Sequence, residues 1–101
     1  MDDVAAVAAK ALELLKRDGW CQRRSKDSAG QRCVGRAWDE ATYAVADANQ
    51  AWRYTVTGAN CQPLKEAIMG QYACEGIAGW NDAPERTFDQ VVAVLEKLAA
   101  G

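Results

Sequence analysis

An all-α, single-domain bundle of about five helices is expected from three features of this sequence. Apolar residues recur every three to four positions over most of its length, capping residues stand ahead of several of those runs, and no two convincing strands exist to pair. Half of the 101 residues are hydrophobic and 26% are charged, a globular rather than a disordered balance, with alanine supplying much of the apolar share. A chain of this length makes one domain around one modest core, spanning residues 1–101. So much alanine implies close helix approaches, with Trp20, Trp38, Trp52, Trp80, Tyr43, Tyr54, Tyr72 and Phe88 as large anchors.

The first helix is expected over 3–17, where Val4, Val7, Ala8, Ala11, Leu14 and Leu15 share a face and Asp3 is placed as the N-cap. Gly19 suits the left-handed position beyond its end. A Schellman ending there brings Leu15 and Trp20 together and buries Trp20 by local geometry. Residues 21–31 lack periodicity and gather serine, glycine and charge, which reads as a solvated basic loop of functional length.

A second helix is expected over 31–45 through Val34, Ala37, Trp38, Ala41 and Val45. Asp47 followed by Gln50 offers a new capping start, so a separate helix is expected over 48–57, closed by Thr57-Gly58-Ala59-Asn60. Pro63 stands where the first turn of a helix tolerates it, ahead of Leu64, Ala67, Ile68 and Tyr72 in a helix over 62–74. In the segment Trp80-Asn81-Asp82-Ala83-Pro84-Glu85-Arg86-Thr87, Asp82 is expected to cap a short turn admitting Pro84, and Trp80 to close the core. Thr87 with Gln90 makes a capping box for a last helix over 88–99, lined by Phe88, Val91, Val94, Leu95 and Leu98. Helices one, two and five are expected to form the main bundle.

Catalytic and metal chemistry find little footing. Histidine is absent, which removes the commonest general base and the usual partner of a serine or cysteine nucleophile. The cysteines Cys21, Cys33, Cys61 and Cys74 lack the close pairing of structural zinc sites, and a helix between Cys61 and Cys74 would hold them roughly 20 Å apart. No metal, cofactor or catalytic residue is expected. Without an export signal the thiols are read as free and the chain as cytoplasmic, with Cys21 and Cys33, which bracket the basic loop, the pair to watch for oxidation. No apolar stretch approaches membrane-spanning length.

Charge is the feature that suggests a use. The net charge of −2 is strongly polarised: residues 16–36 hold seven basic and two acidic residues, residues 37–101 four basic and nine acidic. Arg23, Arg24, Lys26, Arg32 and Arg36 form the candidate contact set, since arginine forks bind carboxylates and phosphates alike. A protein partner with an acidic surface suits the polarity better than nucleic acid, which the acidic remainder of the chain would repel. Three uses stay open: a non-enzymatic interaction module, a nucleic-acid accessory protein, and an enzyme built on carboxylates such as Asp82 and Glu85. The loop's other explanation is pairing with the chain's own acidic helices. Oligomeric state is not legible.

Gly19-Trp20 after the first helix, Gly30 and Cys33 with Ala37, and Trp80-Asn81-Asp82 followed by Arg86-Thr87 together resemble a family of small bacterial and bacteriophage proteins known only as a domain of unknown function. Trp20, Trp80, Asn81, Asp82 and Thr87 are its structural signature, and the resemblance covers the two ends and the start of the second helix. The family pattern has a glycine where Cys33-Val34-Gly35-Arg36-Ala37 has Arg36, which bears on how closely a neighbour approaches that helix. The resemblance implies a compact, mainly helical cytoplasmic protein, and makes a phage-encoded modulator or inhibitor of a host complex a natural use for it.

Overall fold

The computed structural model describes residues 3–48, 62–69 and 76–100, and among these the fold is all-α. Five helices follow in order: α1 (Asp3–Asp18), α2 (Val34–Ala48), α3 (Gln62–Met69), α4 (Ile77–Asp82) and α5 (Phe88–Ala99). The expected helix over 48–57, the 70–74 end of the one expected over 62–74, the anchors Trp52, Tyr54 and Tyr72, the Asp3 cap, and Cys61 and Cys74 lie outside the described residues and side chains.

The α1 helix packs against α2 on one side and α5 on the other, while α4 bridges α2 and α3. Its apolar face is the one its spacing indicates: Val7, Ala8, Ala11, Leu14 and Leu15 are buried. Against them stand Val34, Ala37, Trp38 and Ala41 from α2, Val91 and Leu95 from α5, and Leu64 and Ile68 from α3. Trp38 is the largest fully buried side chain, so it serves the core. Each large residue buried here contributes about 1.5–3 kcal/mol, and the alanines let the helices that carry them approach closely.

Several expectations need correction. Helix α2 starts at Val34 rather than 31, because residues 31–33 are committed to backbone bonds with the preceding loop. It also runs through Asp47 without the expected break: no glycine or proline interrupts Tyr43–Ala48, so nothing in that stretch opposes continuing the helix. Tyr43 is 62% exposed and anchors nothing, and Ala67 faces solvent. Gly19 takes the left-handed conformation (φ +101°), but its N–H bonds Leu15 O at 2.8 Å, the simpler αL ending rather than a Schellman one. Trp20 is only half-buried, and its packing is remote, a stack on Phe88 with ring centroids 6.2 Å apart.

The α4 helix escapes sequence analysis altogether. Six residues containing Gly79, Asn81 and Asp82 have weak intrinsic helicity. Gly76 precedes it at φ +101°, ψ −170°, a conformation open essentially to glycine alone. Beyond α4, Ala83 and Arg86 close a turn around Pro84, and Thr87 then caps α5 as expected: its hydroxyl accepts from Gln90 N–H at 3.3 Å while Gln90 Oε1 accepts from Thr87 N–H at 3.0 Å.

Candidate partner-binding cleft

The basic loop is folded rather than merely solvated. Arg32 N–H donates to Gly19 O and Cys21 N–H to Arg32 O, both at 3.0 Å, which bridges Trp20 and Arg32 in parallel. On its other side, Cys33 N–H donates to Ser25 O and Asp27 N–H to Gln31 O, both at 2.9 Å, bridging Lys26 and Arg32 antiparallel. Three short segments thus make a miniature ladder with 31–33 in the middle. Its tip is held by the Asp27 carboxylate, which accepts from the Ala29 and Gln31 N–H groups at 3.0 and 2.8 Å.

A single carboxamide fastens this loop to the helices. Asn81, fully buried, accepts at Oδ1 from Trp20 Nε1 (2.6 Å) and from the N–H of Val34 (2.9 Å), the first residue of α2. Its Nδ2 donates to Cys21 O (3.1 Å) and to Asp82 Oδ1 (2.9 Å). Asp82 Oδ1 also accepts from Arg23 N–H at 2.8 Å, and Gln22 Nε2 donates to the carbonyls of Asn81 and Ala83. Asp82 therefore holds the loop instead of capping a turn before Pro84, and Arg23 sits at φ +68° where that bond fixes it. The α2 start has its own cap as well, since Cys33 Sγ accepts from Arg36 N–H at 3.3 Å.

Between loop, α2 and α4 the surface opens into two adjoining hollows of about 210 and 470 Å³ that share Ser25, Cys33 and Ala78. Arg23 and Arg24 line the first with Asp82. Arg36, Asp39, Gly35 and Ile77 line the second. Gly35 is where α2 and α4 meet closely: a Cβ there would lie 3.3 Å from Ile77 Cγ2. The close approach thus belongs to Gly35, and Arg36 lines the cleft beside it. Asp39 is exposed, but its carboxyl is crowded by the cleft wall, and this loss of solvent raises it above the ordinary value against the opposing pull of Arg36.

Arg32 has a different environment from its basic neighbours. It is 6% exposed, its Nη1 donates to Asp18 Oδ2 at 2.6 Å, and its Nε lies 3.1 Å from Glu40 Oε1 as an ion pair without hydrogen-bond alignment. Arg17 takes the same Asp18 oxygen at 2.8 Å, and Arg36 Nε donates to Glu40 Oε2 at 2.7 Å. A chain of charges, Arg17–Asp18–Arg32–Glu40–Arg36, runs from the end of α1 to the second turn of α2. Arg17 first and Arg32 next hold Asp18 well below the usual carboxylate range, and Arg32, with Arg36 adding to it, holds Glu40 down against the effect of burial.

The sequence model of a family of unknown function, DUF6197, matches residues 1–101. The chain belongs to that family. No curated protein and no solved structure matches it. In this DUF6197 member Trp80 lies under the Arg86 guanidinium, 4.2 Å from its ring centroid, and Arg86 Nε donates to Trp80 O at 2.9 Å.

Of the five expected contact residues, Arg23, Arg24 and Arg36 come together at the cleft. Lys26 is exposed on the loop outside that lining, and Arg32 is withdrawn into the internal ion-pair chain, which its burial settles. Ile77 and Ala78 of α4 were not legible as cleft residues, since the helix carrying them has no sequence signal beyond Ile77, Trp80 and Asn81 at helical spacing. Among the described residues no cluster of acidic residues and cysteines is placed to hold a metal, and no helix is long and apolar enough to cross a membrane.

Proposed function

We propose that this DUF6197 chain is a non-enzymatic interaction module that receives an acidic segment of a partner protein in the cleft between the basic loop, α2 and α4. One observation carries the reading: Arg23, Arg24 and Arg36 converge from two elements on a cleft floored by Ile77 and Ala78. Arg23 and Arg24 make no ion pair among the described residues, so their guanidinium forks are open to a carboxylate. The apolar floor suits a side chain between carboxylates, as a peptide presents, more than a uniform phosphate backbone. Asp82, one of the two carboxylates named with Glu85 for an enzyme reading, is occupied by Arg23 N–H and Asn81 Nδ2. The reading takes the protein to act in the cytoplasm, and the bacteriophage resemblance makes modulation of a host complex its natural setting.

Titration with a fluorescent peptide rich in glutamate, leucine and aspartate tests this, beside a DNA duplex at equal salt. Binding of the peptide should weaken with salt and fall by at least about tenfold in the double variant Arg23→Glu, Arg24→Glu. Equal binding by the variant, or tighter binding of the duplex, would refute it.

A further inference from the structure

We infer that Cys21 and Cys33 are a dithiol pair that closes to a disulfide across the miniature ladder when the protein meets a peroxide. This stands apart from whatever the cleft binds. The parallel bridge pairs Trp20 with Arg32, so one position further along the same register Cys21 lies beside Cys33, at the strand spacing of about 4.8 Å. That falls inside the Cα separation of about 4.4–6.8 Å that a disulfide spans. Alternation puts the two on a common face. By this alternation Trp20, Arg32 and Lys26 share one face of the ladder, from which Arg32 reaches Asp18 and Glu40, and Cys21 and Cys33 share the other. Both thiols are free and half-buried.

Cys21 is close enough to be influenced by the other sulfur: after burial and Asp27, Cys33 is the next influence that raises the Cys21 thiol above its usual value. Their present bonds are weak and replaceable. Cys21 Sγ donates to the carbonyls of Arg24 and Gln31 at 3.3 and 3.4 Å, and Cys33 Sγ accepts from Arg36 N–H at 3.3 Å.

Access distinguishes their roles. Cys33 lines both hollows of the cleft, so a peroxide reaches it from solvent, whereas Cys21 lines neither. The Cys33 sulfur attacks one peroxide oxygen, the O–O bond breaks, and with hydrogen peroxide one water leaves behind a sulfenic acid. The Cys21 sulfur then displaces the sulfenic oxygen, which departs as a second water carrying the Cys21 proton. Two thiols are oxidised, one peroxide is reduced, and an S–S bond clasps the loop that bears Arg23 and Arg24.

The test uses the full chain, reduced, treated with hydrogen peroxide and digested with trypsin without reductant. The expected product is the peptide of residues 18–23 joined to that of residues 33–36, lighter than the sum of the two by the mass of two hydrogens. Linkage of either cysteine to Cys61 or Cys74, or Cys33 carried on to sulfinic acid with no link to Cys21, would overturn the inference. Cys21→Ser gives a second measurement, since serine keeps the hydroxyl donor while removing the resolving sulfur. Dimedone labelling of Cys33 after peroxide should rise several-fold over the unmodified protein. Equal labelling of the two would sink the pairing.

Discussion

The Asn81 carboxamide has two lone pairs and two N–H groups, and its four bonds go to Trp20, Val34, Cys21 and Asp82. The side chain is fully buried, so its own polar atoms depend on these four bonds. Asn81→Ala leaves the Trp20 indole, the α2 N–H and the Cys21 carbonyl without a partner, at a cost of about 2–4 kcal/mol in chemical denaturation. Asn81→Asp keeps the shape and the Oδ1 acceptor, but turns its second oxygen on the Cys21 carbonyl and the Asp82 carboxylate. Its charged form is disfavoured by burial and by Asp82, so its folded pKa lies above the unfolded one, and stability is lost as pH rises past the unfolded value. The variant should therefore lag the unmodified protein at pH 7 and regain much of the difference near pH 4, where protonation restores a donor. A deficit equal at both pH values would show that the donated bonds are not what Asn81 supplies.

At the scale of elements, helix α5 illustrates what local chemistry settles. Its apolar face and its Thr87–Gln90 box are where the spacing puts them, and the hydroxyl of Thr87 serves an N–H that helix geometry leaves orphaned. Thr87→Ala should cost about 1 kcal/mol in urea denaturation, and Thr87→Ser almost nothing, with the α5 amides nearest the cap exchanging faster in the alanine variant. Helix α1 and the buried face of α2 were legible for the same reason, since a repeat of three to four residues survives without tertiary context. The loop was not. Its ladder consists of single bridges between backbone groups, which leave no periodic trace in side-chain type, and its fastening point, Asn81, is a polar residue whose burial only the assembled helices create. Helix α4 was missed because six residues of weak helicity are held by tertiary contacts rather than by their own propensity. The cleft was half legible: charge clustering picked out Arg23, Arg24 and Arg36, but it equally picked out Lys26, which lies outside the lining, and Arg32, which is chemically identical to its arginine neighbours and differs in being enclosed.

For the whole molecule, the basic residues that the sequence presents as one cluster occupy two different environments. Arg32 is matched internally against Asp18 and Glu40, Arg36 lines the cleft while paired with Glu40, and Arg23 and Arg24 line the cleft without an ion pair among the described residues. The internal pairing makes stability depend on acid. Asp18 and Glu40 both titrate lower in the folded chain than in the unfolded one, so their ionised forms favour folding. That contribution is complete above the unfolded carboxylate values, near pH 4, and disappears as pH falls toward the folded ones. Thermal midpoints should stay level from about pH 7 to 5 and drop increasingly below about pH 4. Arg32→Met fills the same volume without the charge, and should lower the midpoint at neutral pH while flattening the acid limb. The flattening should be incomplete, because Arg17 is the first cause of the Asp18 shift and Arg36 still faces Glu40. An acid limb as steep in Arg32→Met as in the unmodified protein would place the sensitive carboxylates elsewhere, outside the ion-pair chain that joins α1 to α2.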